Sequence, residues 1–408
     1  MSTQTLPPKT EAPVIVREYV DRVRGGDLGA LPAVLGLVVL TVVFSAFQPI
    51  FFSPGNFANL LTQGAVYVVI AMGLIFVLLL GEIDLSAGFT SGVCAAVLAI
   101  TLTNMGWPWY ASVVAAMITG AVIGLVLGTL VAKIGIPSFV VTLAAFIAFQ
   151  GVVLLLLKQG TNISVRDPTI VAIANRNLPP WLGWLMAAVT VAGYAAVQLA
   201  QARNRARRGL PTTPPLLLAA RVGGLALVVG LVVYVLNLDR GRAVVLQGVP
   251  IVVPVILVLF LIWTFVLRRT AFGRHIYAVG GNAEAARRAG ISVDRIKIAC
   301  FVICSFMASI GGIIAASRAN SVDPNTGGSN VLLFAVGAAV IGGTSLFGGK
   351  GRALDAILGG AVVAMIENGM GLLGYGAGQK LVVTGLVLLL AASVDALSRK
   401  RAAATGHR

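Results

Sequence analysis

The sequence predicts an all-α polytopic membrane protein with about twelve transmembrane helices and both termini in the cytoplasm. Of its 408 residues, 58% are hydrophobic and only 11% are charged, which leaves too little polar surface to cover a soluble protein of this length. The apolar residues also form long unbroken runs, without the alternation that marks helices and strands at a protein–water boundary. The 48 glycines fit lipid better than water, because small residues let neighbouring helices approach closely.

Each predicted helix is one of these apolar runs. In chain order the helices are expected at about 30–48, 64–80, 87–104, 109–131, 138–157, 183–200, 215–236, 250–267, 295–316, 331–346, 354–375 and 379–396. The first run is too long for the apolar part of a cleaved signal peptide, so it is expected to be a retained helix. The transmembrane domain then covers 30–396, between a cytoplasmic N-terminal tail at 1–29 and a basic cytoplasmic tail at 397–408.

The basic residues predict the orientation. With the N-terminus inside, 23 of the 30 lysines and arginines fall on the cytoplasmic side of the membrane. They are dispersed among loops, with no basic stripe interleaved with aromatic residues, so the net charge of +16 does not indicate nucleic-acid binding. The external loop 159–181 and the basic cytoplasmic linker 201–215 contain prolines and are expected to be connectors, not folded domains.

The most distinctive cytoplasmic segment is the loop 268–294, which contains Glu284-Ala285-Ala286 and, further on, Gly290. Alanines flanked by glutamate and arginine favour a short helix, and Gly290 suits the position that ends it. A short amphipathic helix on the cytoplasmic face can enter a groove on a partner protein and transmit its movement. The alternative is an ordinary solvated loop that happens to be helical.

A second polar segment lies at the cytoplasmic end of the second predicted helix. Its residues of interest are Gly81, Glu82, Asp84, Ser86 and Gly88. The glycines allow the backbone to break, which would leave the two carboxylates at an aqueous face or inside the protein instead of in lipid. Three interpretations stay open: a structured turn near a gate or partner interface, a plain polar turn, and a site that binds H⁺ or Na⁺.

A third, glycine-rich segment follows the tenth predicted helix, from Gly342 to Arg352. It superficially resembles a phosphate-binding loop, but threonine stands where the first glycine should be, glycine follows the lysine, and no strand is expected before it. ATP binding at this loop is therefore not expected. A cytoplasmic or re-entrant turn is expected instead, with a gate or contact surface formed by Gly343, Thr344, Ser345, Gly348, Gly349 and Lys350.

Inside the predicted helices, Glu367 and Asn368 lie mid-way along the eleventh. A carboxylate within a membrane indicates either a translocation pathway or gate, or a structural hydrogen bond between helices. Gly120, Gly124 and Gly128 are spaced four apart and favour a helix-packing ridge. Two histidines are too few for a metal cluster or a catalytic triad, and the three cysteines lie in apolar runs as small buried side chains. No metal, cofactor or enzymatic activity is expected.

Four of these segments together resemble permeases of ATP-binding-cassette (ABC) sugar importers of the ribose/xylose type. Gly81–Gly88 is similar to that family's Gly-Gly-Ile-Asp-Leu-Ser-x-Gly signature, and Gly280–Ile291 to its Gly-Gly-Asn-x-Glu-Ala-Ala-Arg-x-x-Gly-Ile loop. Gly342–Arg352 resembles the loop Gly-Gly-Thr-Ser-Leu-x-Gly-Gly-x-Gly-Arg. Asn368–Leu373 resembles the run Asn-Gly-Leu-x-Leu-Leu.

This resemblance implies a permease subunit in the bacterial inner membrane that moves a monosaccharide by alternating access. The implied partners are a second permease subunit, forming a homodimer, two cytoplasmic ATPases, a periplasmic sugar-binding protein and membrane lipid. Glu284, Ala285, Ala286 and Gly290 would then couple to the ATPase. Additional length around 183–250 is similar to xylose permeases and favours xylose or a related pentose as substrate.

Two departures from the family pattern limit what can be carried over. Glu82 stands where the family usually has glycine, and Asn330–Phe334 lacks the acidic residues often seen before the following helix. Two other functions also stay open. One is an ion-coupled secondary transporter that uses Glu82, Asp84 or Glu367, and the other is a permease of the same superfamily for branched-chain amino acids or another small solute.

Overall fold

The computed structural model describes residues 31–158, 161–210, 212, 214–241 and 245–404. The predicted N-terminal tail at 1–29 and the last four residues of the C-terminal tail lie outside the described residues. In order, the elements are α1 Leu31–Phe47, α2 Pro54–Leu79, α3 Ala87–Ala99, α4 Trp109–Thr129, α5 Ser138–Leu156, β1 Ile163–Ser164, α6 Pro168–Asn175, α7 Pro180–Arg207, α8 Pro215–Asn237, α9 Val252–Arg269, α10 Ala271–Gly281, α11 Ala283–Arg288, α12 Val293–Ala319, β2 Ser321–Val322, α13 Ser329–Ile341, α14 Ala353–Leu372 and α15 Ala377–Ala404. A 3₁₀ turn at Pro49–Phe52 precedes α2, and π-helical turns at Ile100–Asn104 and Leu130–Ile134 extend α3 and α4.

Every predicted apolar run coincides with a helix. Within the described residues, nine helices are long and apolar enough to cross a membrane, and α1, α13 and α15 contribute shorter apolar stretches. Large apolar side chains point away from the protein on many of them, as in Leu155, which is 81% exposed. Such surfaces suit lipid and not water. The all-α membrane fold is confirmed, while the number of twelve crossings and the cytoplasmic termini stay predictions.

The chain divides into two compact units. The larger one consists of Gly29–Arg176 and Pro250–Ala396. It is built around α2 and α12, in which 78% and 61% of the apolar stretch is buried. The predicted glycine ridge lies between α4 and α12. A side chain at Gly120 or Gly124 would reach within 2.6 Å of a backbone atom of α12. The ridge therefore packs helix against helix, as predicted.

The smaller unit includes α7 and α8, which pack against each other within Asn177–Val249. Helix α7 continues to Arg207, so the first part of the basic segment 201–215 is helical and not an irregular linker. Arginine and alanine are good helix formers, and cations near a helix C-terminus interact favourably with its dipole. These preferences explain why the helix outlasts the apolar run.

The loop 159–181 also holds more structure than expected. In the larger unit, β1 pairs antiparallel with β2, and Thr103 donates a hydrogen bond to the Ser164 carbonyl at 2.7 Å. Helix α6 starts at Pro168, where the Asp167 carboxylate accepts hydrogen bonds from two backbone amides of its first turn. We call this end of the larger unit the strand end.

Candidate functional site

The three loop motifs predicted to be cytoplasmic meet at the end of the larger unit opposite the strand end. The Gly349 amide donates a hydrogen bond to the Leu79 carbonyl at the end of α2, at 2.9 Å. Gly280 of α10 lies directly beside the same carbonyl, and a side chain at Gly348 would come within 2.8 Å of the Gly280 carbonyl and 2.9 Å of the Gly81 amide. We call Leu79, Gly81, Gly280, Gly348 and Gly349 the motif junction.

Glycine is required in this junction for two separate reasons. Gly81, Gly348 and Gly349 have φ values of 75°, 86° and 73°, in the left-handed region that other residues rarely adopt. Gly280 is helical, but no space exists for a β-carbon beside it. Three backbones can therefore pack directly on one another, which makes the junction a stiff connection between α2, α10 and the loop before α14.

The predicted short helix is α11, Ala283–Arg288, which we call the coupling helix after the role that the sequence resemblance implies for it. The Asn282 side chain accepts a hydrogen bond from the Ala285 amide at 2.9 Å and caps its first turn. Gly290 follows its end with φ of 85°, as expected for a residue that stops a helix. Glu284 and Ala285 are exposed, whereas Ala286 is only 4% exposed and packs into the chain's own core.

The charges on the coupling helix are solvated. Glu284 pairs with Arg288 one turn later at 3.2 Å, and Arg287 lies 3.6 Å from Asp294 at the start of α12. All four side chains are more than half exposed, so these pairs add little to stability. They leave a charged surface that a partner can contact.

The coupling helix is tied to the core through its neighbours in sequence. The Lys297 ammonium, in the second turn of α12, pairs with the Glu82 carboxylate, and both side chains are largely shielded from solvent. Tyr277 of α10 donates a hydrogen bond to the Gly351 carbonyl at 2.7 Å. Glu82, the departure from the family's glycine, thus has an ion-pair partner in α12.

Asp84 and the residues Ser86–Gly88 of the 81–88 turn are buried. The Asp84 carboxylate accepts hydrogen bonds from the Ser86 amide at 2.9 Å and the Ser86 hydroxyl at 2.7 Å, and both residues are 0% exposed. Burial raises the pKa of the Asp84 carboxyl above its ordinary value, while the hydrogen bonds from Ser86 act in the opposite direction. Gly88 packs against Leu332 of α13 with no room for a side chain. This turn is a structured part of the protein and not a plain solvated connection.

Backbone and side-chain hydrogen bonds close the loop between α13 and α14. The Ser345 amide donates a hydrogen bond to the Lys350 carbonyl at 2.9 Å. Asp355 then accepts from the Arg352 guanidinium at 2.8 Å and from the Thr344 hydroxyl at 3.3 Å. The loop follows the helix α13, whereas a phosphate-binding loop follows a strand, so the structure agrees with the prediction that this is not an ATP-binding loop. Thr344 and Ser345 are nearly fully buried, so they hold the loop's shape and do not form an open contact surface.

Glu367 and Asn368 belong to a polar network between α14 and α2. The Tyr67 hydroxyl donates to the Glu367 carboxylate at 2.7 Å, and the Asn56 amide donates to the Asn368 oxygen at 2.9 Å. The Asn368 amide in turn reaches the Gln63 oxygen at 3.3 Å. The hydrogen bonds between helices are thus present, and the partner of Glu367 is a tyrosine 300 positions away rather than its neighbour Asn368.

Sites for metal or thiol chemistry do not appear in the part of the chain that the structure describes. No group of three or more His, Cys, Asp or Glu side chains could hold a metal ion among those residues. Cys94, Cys300 and Cys304 are all 0% exposed and free of disulfide bonds. They pack as small apolar side chains, as expected.

Comparison with known proteins identifies the family. Residues 56–392, most of the chain, match the family described as the permease component of the branched-chain amino acid transport system. The chain belongs to this permease family. The matched region contains the motif junction, the coupling helix and the network around Glu367. The protein is therefore a multi-pass permease of the bacterial inner membrane, a transporter subunit and not an enzyme.

Curated relatives narrow the family. The chain is 36% identical to the xylose transport system permease protein XylH of Escherichia coli K12, over 86% of this chain and 87% of the relative. It is 33% identical to XylH of Haemophilus influenzae, over 90% and 96%. It is 31% identical to the ribose import permease protein RbsC of Escherichia coli K12, over 89% and 92%. The predicted resemblance to ribose/xylose permeases is confirmed. No solved structure is significantly similar to the chain.

Proposed function

We propose that the protein is the membrane permease of an ATP-driven sugar importer and that it carries xylose or a related pentose. The substrate proposal is supported by the greater identity to xylose permeases, 36%, than to ribose permeases, 31%. Sugar selectivity in such a system resides mainly in the binding protein that delivers the substrate. The partners are a second copy of this chain, two ATPase subunits and that binding protein.

The observation that carries this proposal is the connection between the coupling helix and the core. An exposed, capped helix precedes α12 and follows α10, and α10 is locked to α2 through Gly280 and the Leu79 carbonyl. A partner that binds the exposed Glu284 face and moves as a rigid body would displace these helices together. Without this junction, movement of the coupling helix would only bend the solvated loop and would not displace α2.

The same geometry suggests how ATP hydrolysis in the partner opens the path. Closure of the ATPase pair would push the coupling helix, and Lys297 would transmit the displacement to Glu82 and the turn behind α2. Gly343, Gly348 and Gly349 give the adjacent loop its sharp bends, and with Lys350 they would line the cytoplasmic gate, while the buried Thr344 and Ser345 hold its shape. Rigid-body movement of packed helices around a fixed path is the usual form of alternating access.

Glu367 and Asn368 contribute to the translocation path in this proposal. Their network joins α14 to α2, two helices that must separate or slide if the path opens. Hydrogen bonds such as Tyr67 to Glu367 can exchange for bonds to sugar hydroxyls at little cost, because both states stay hydrogen-bonded. The network would then act as a polar seal in the resting conformation.

Ion-coupled transport is the rival function, and the contacts of its three carboxylates weigh against it. Glu82 is paired with Lys297, one oxygen of Asp84 accepts two hydrogen bonds from Ser86, and Glu367 accepts a hydrogen bond from Tyr67. The rival makes a distinct prediction for vesicles that contain the permease alone. Sugar uptake there would follow a proton or sodium gradient and would not change when the ATPase is left out.

The test of the proposal is Glu284→Lys in vesicles reconstituted with the proposed ATPase and binding-protein partners. We expect normal membrane insertion, loss of ATPase co-purification and loss of ATP-dependent xylose uptake, because a reversed charge opposes docking. Glu284→Gln is the matched control, with the same shape and a smaller defect. Normal co-purification and uptake by Glu284→Lys would show that the coupling assignment is wrong.

A further inference from the structure

A cavity of about 220 Å³ opens in the larger unit, and its lining residues belong to neither the motif junction nor the Glu367 network. Its walls come from α3, α5, the turn after β2 and the first turn of α13. Phe89, Gln150, Asn325 and Asn330 supply the side chains that define its chemistry. None of these residues is among the candidate site residues predicted from the sequence.

The cavity lies within the depth of the helices. Its neighbouring turn, 323–328, folds back onto α3, where Gly327 packs against the Gly88 carbonyl. Further along α3, Ser91 meets Gly312 of α12. Gly312 is seven residues before the last residue of α12, about 10 Å from the strand end at 1.5 Å per residue. The cavity thus lies among the helices, between the first turns of α3 and α13 and the second half of α5.

The three amides indicate what this face contacts. Gln150, Asn325 and Asn330 are exposed, and none of their side chains has a hydrogen-bond partner in the ranges that the structure describes. An unsatisfied amide in hydrocarbon costs several kcal/mol, so this face does not contact lipid tails. It faces water or a polar solute, as the wall of a translocation path does.

The lining also selects the class of solute. Amide side chains both donate and accept hydrogen bonds, and among the described residues no charged side chain lines the cavity. A neutral molecule with several hydroxyls is therefore favoured over an ion. Phe89, 4% exposed and held edge-to-face by Phe146 at 4.8 Å, forms a rigid apolar wall. Pockets for drug-sized ligands measure about 300–1,000 Å³, so this one suits a smaller molecule.

The turn that presents Asn325 is rigid. The Asp323 carboxylate accepts a hydrogen bond from the backbone amide of Asn325 at 2.7 Å, and the backbone amide of Thr326 donates to the Asp323 carbonyl at 3.0 Å. Asn330 is equally fixed, because it lies in the first turn of α13. The backbone that carries Asn325 and Asn330 is therefore already ordered before a ligand binds.

We propose that this cavity is a monosaccharide-binding station on the translocation path, with Gln150, Asn325 and Asn330 binding sugar hydroxyls and Phe89 packing against the apolar face of the ring. The proposal rests on the proposed transport of sugar. It adds a location and a set of contacts that the coupling helix and the Glu367 network do not supply.

Two measurements test it. Asn330→Cys is labelled with a water-soluble maleimide in detergent, without ATPase or binding protein, so that the outcome does not depend on ATP-driven transport. We expect rapid labelling that millimolar xylose slows. The same concentration of sodium glutamate, a charged solute, should leave the labelling rate unchanged. The native cysteines are buried and give no background. Labelling that xylose leaves unchanged would overturn the binding station.

The second measurement is xylose uptake by Asn330→Leu and Gln150→Leu in vesicles with the complete transporter. We expect uptake to fall about tenfold for each, the effect of losing one well-formed hydrogen bond, with ATPase activity unchanged. Asn104→Leu, the same kind of change at an exposed position outside the cavity, serves as the control. Wild-type uptake in the cavity variants, or loss of uptake together with dissociation of the dimer, would contradict the proposal. If the wild-type protein itself takes up no xylose with ATP, the proposed function fails instead.

Discussion

Gly280→Ala tests the motif junction most sharply. In this helix an alanine would normally stabilise the protein, because glycine costs about 0.8–1.0 kcal/mol relative to alanine in a helix interior. At Gly280, however, the added β-carbon would lie 1.7 Å from the Leu79 carbonyl oxygen and 2.9 Å from the Gly349 nitrogen. Both are backbone atoms, so no side-chain rotation can relieve the overlap, and α10 must move away from α2.

The magnitude follows from two losses. Overpacking that forces a backbone shift costs about 1–3 kcal/mol. The displaced hydrogen bond between the Gly349 amide and the Leu79 carbonyl adds about 0.5–1.5 kcal/mol. Together they exceed the gain in helix propensity, so we expect a net destabilisation of about 0.5–3.5 kcal/mol.

The assay is thermal unfolding in detergent, followed by ATPase stimulation in the reconstituted complex. Gly281→Ala is the matched control, because it lies next in the same helix with nothing within 4 Å of its added β-carbon. We expect Gly280→Ala to melt at a lower temperature and to uncouple ATP hydrolysis from uptake, while the control melts as the wild type does or slightly higher. Equal melting temperatures and equal coupling for the two variants would refute the rigid junction.

Two further predictions concern stability. Lys297→Met leaves the shielded Glu82 unpaired and should lower the free energy of unfolding by about 1–3 kcal/mol. Exchanging the charges of Lys297 and Glu82 should recover most of this loss. Arg287→Met is the control, because its ion pair is exposed, and it should lower the free energy of unfolding by less than about 1 kcal/mol in the same melts. No rescue by the exchange would show that the ion pair is not what stabilises this site. Gly124→Leu should prevent stable folding, because its β-carbon would lie 2.5 Å from a carbonyl of α12, whereas Gly151→Leu has open space. Purified Gly124→Leu with a wild-type melting curve would contradict the close packing.

The parts of the fold that the sequence predicts are those with a local signal. Apolar runs located every long helix, and the Ala-rich segment with Gly290 located the coupling helix and its end. The spacing of Gly120, Gly124 and Gly128 predicted a contact surface. In each case the information lies within one or two helical turns.

The parts that it does not predict depend on contacts between distant residues. Glu82 and Lys297 are 215 positions apart, and nothing in either segment indicates the pairing. The role of Gly280 comes from the carbonyl of another helix, which the motif alone does not reveal. The extension of α7 to Arg207 was missed for a different reason. The apolar run ends near residue 200, but the residues that follow it still have high helix propensity.

The candidate site shows the same division. The sequence singled out the segments that form the motif junction but did not predict that they meet. The amide cavity is formed by residues outside the predicted site, whose exposure is visible only after folding. An isolated Gln150 or Asn330 gives no signal, since exposed amides are common in sequences. They become informative when the fold places them at the depth of apolar helices.

The central claim is that the coupling helix lies on the cytoplasmic face and docks the ATPase. Arg287→Cys tests it, because this side chain is 61% exposed and the native cysteines are buried. With a membrane-impermeant maleimide, we expect labelling only from the cytoplasmic side and protection when the ATPase is added. Labelling from the outside, or labelling that the ATPase does not affect, would contradict the account.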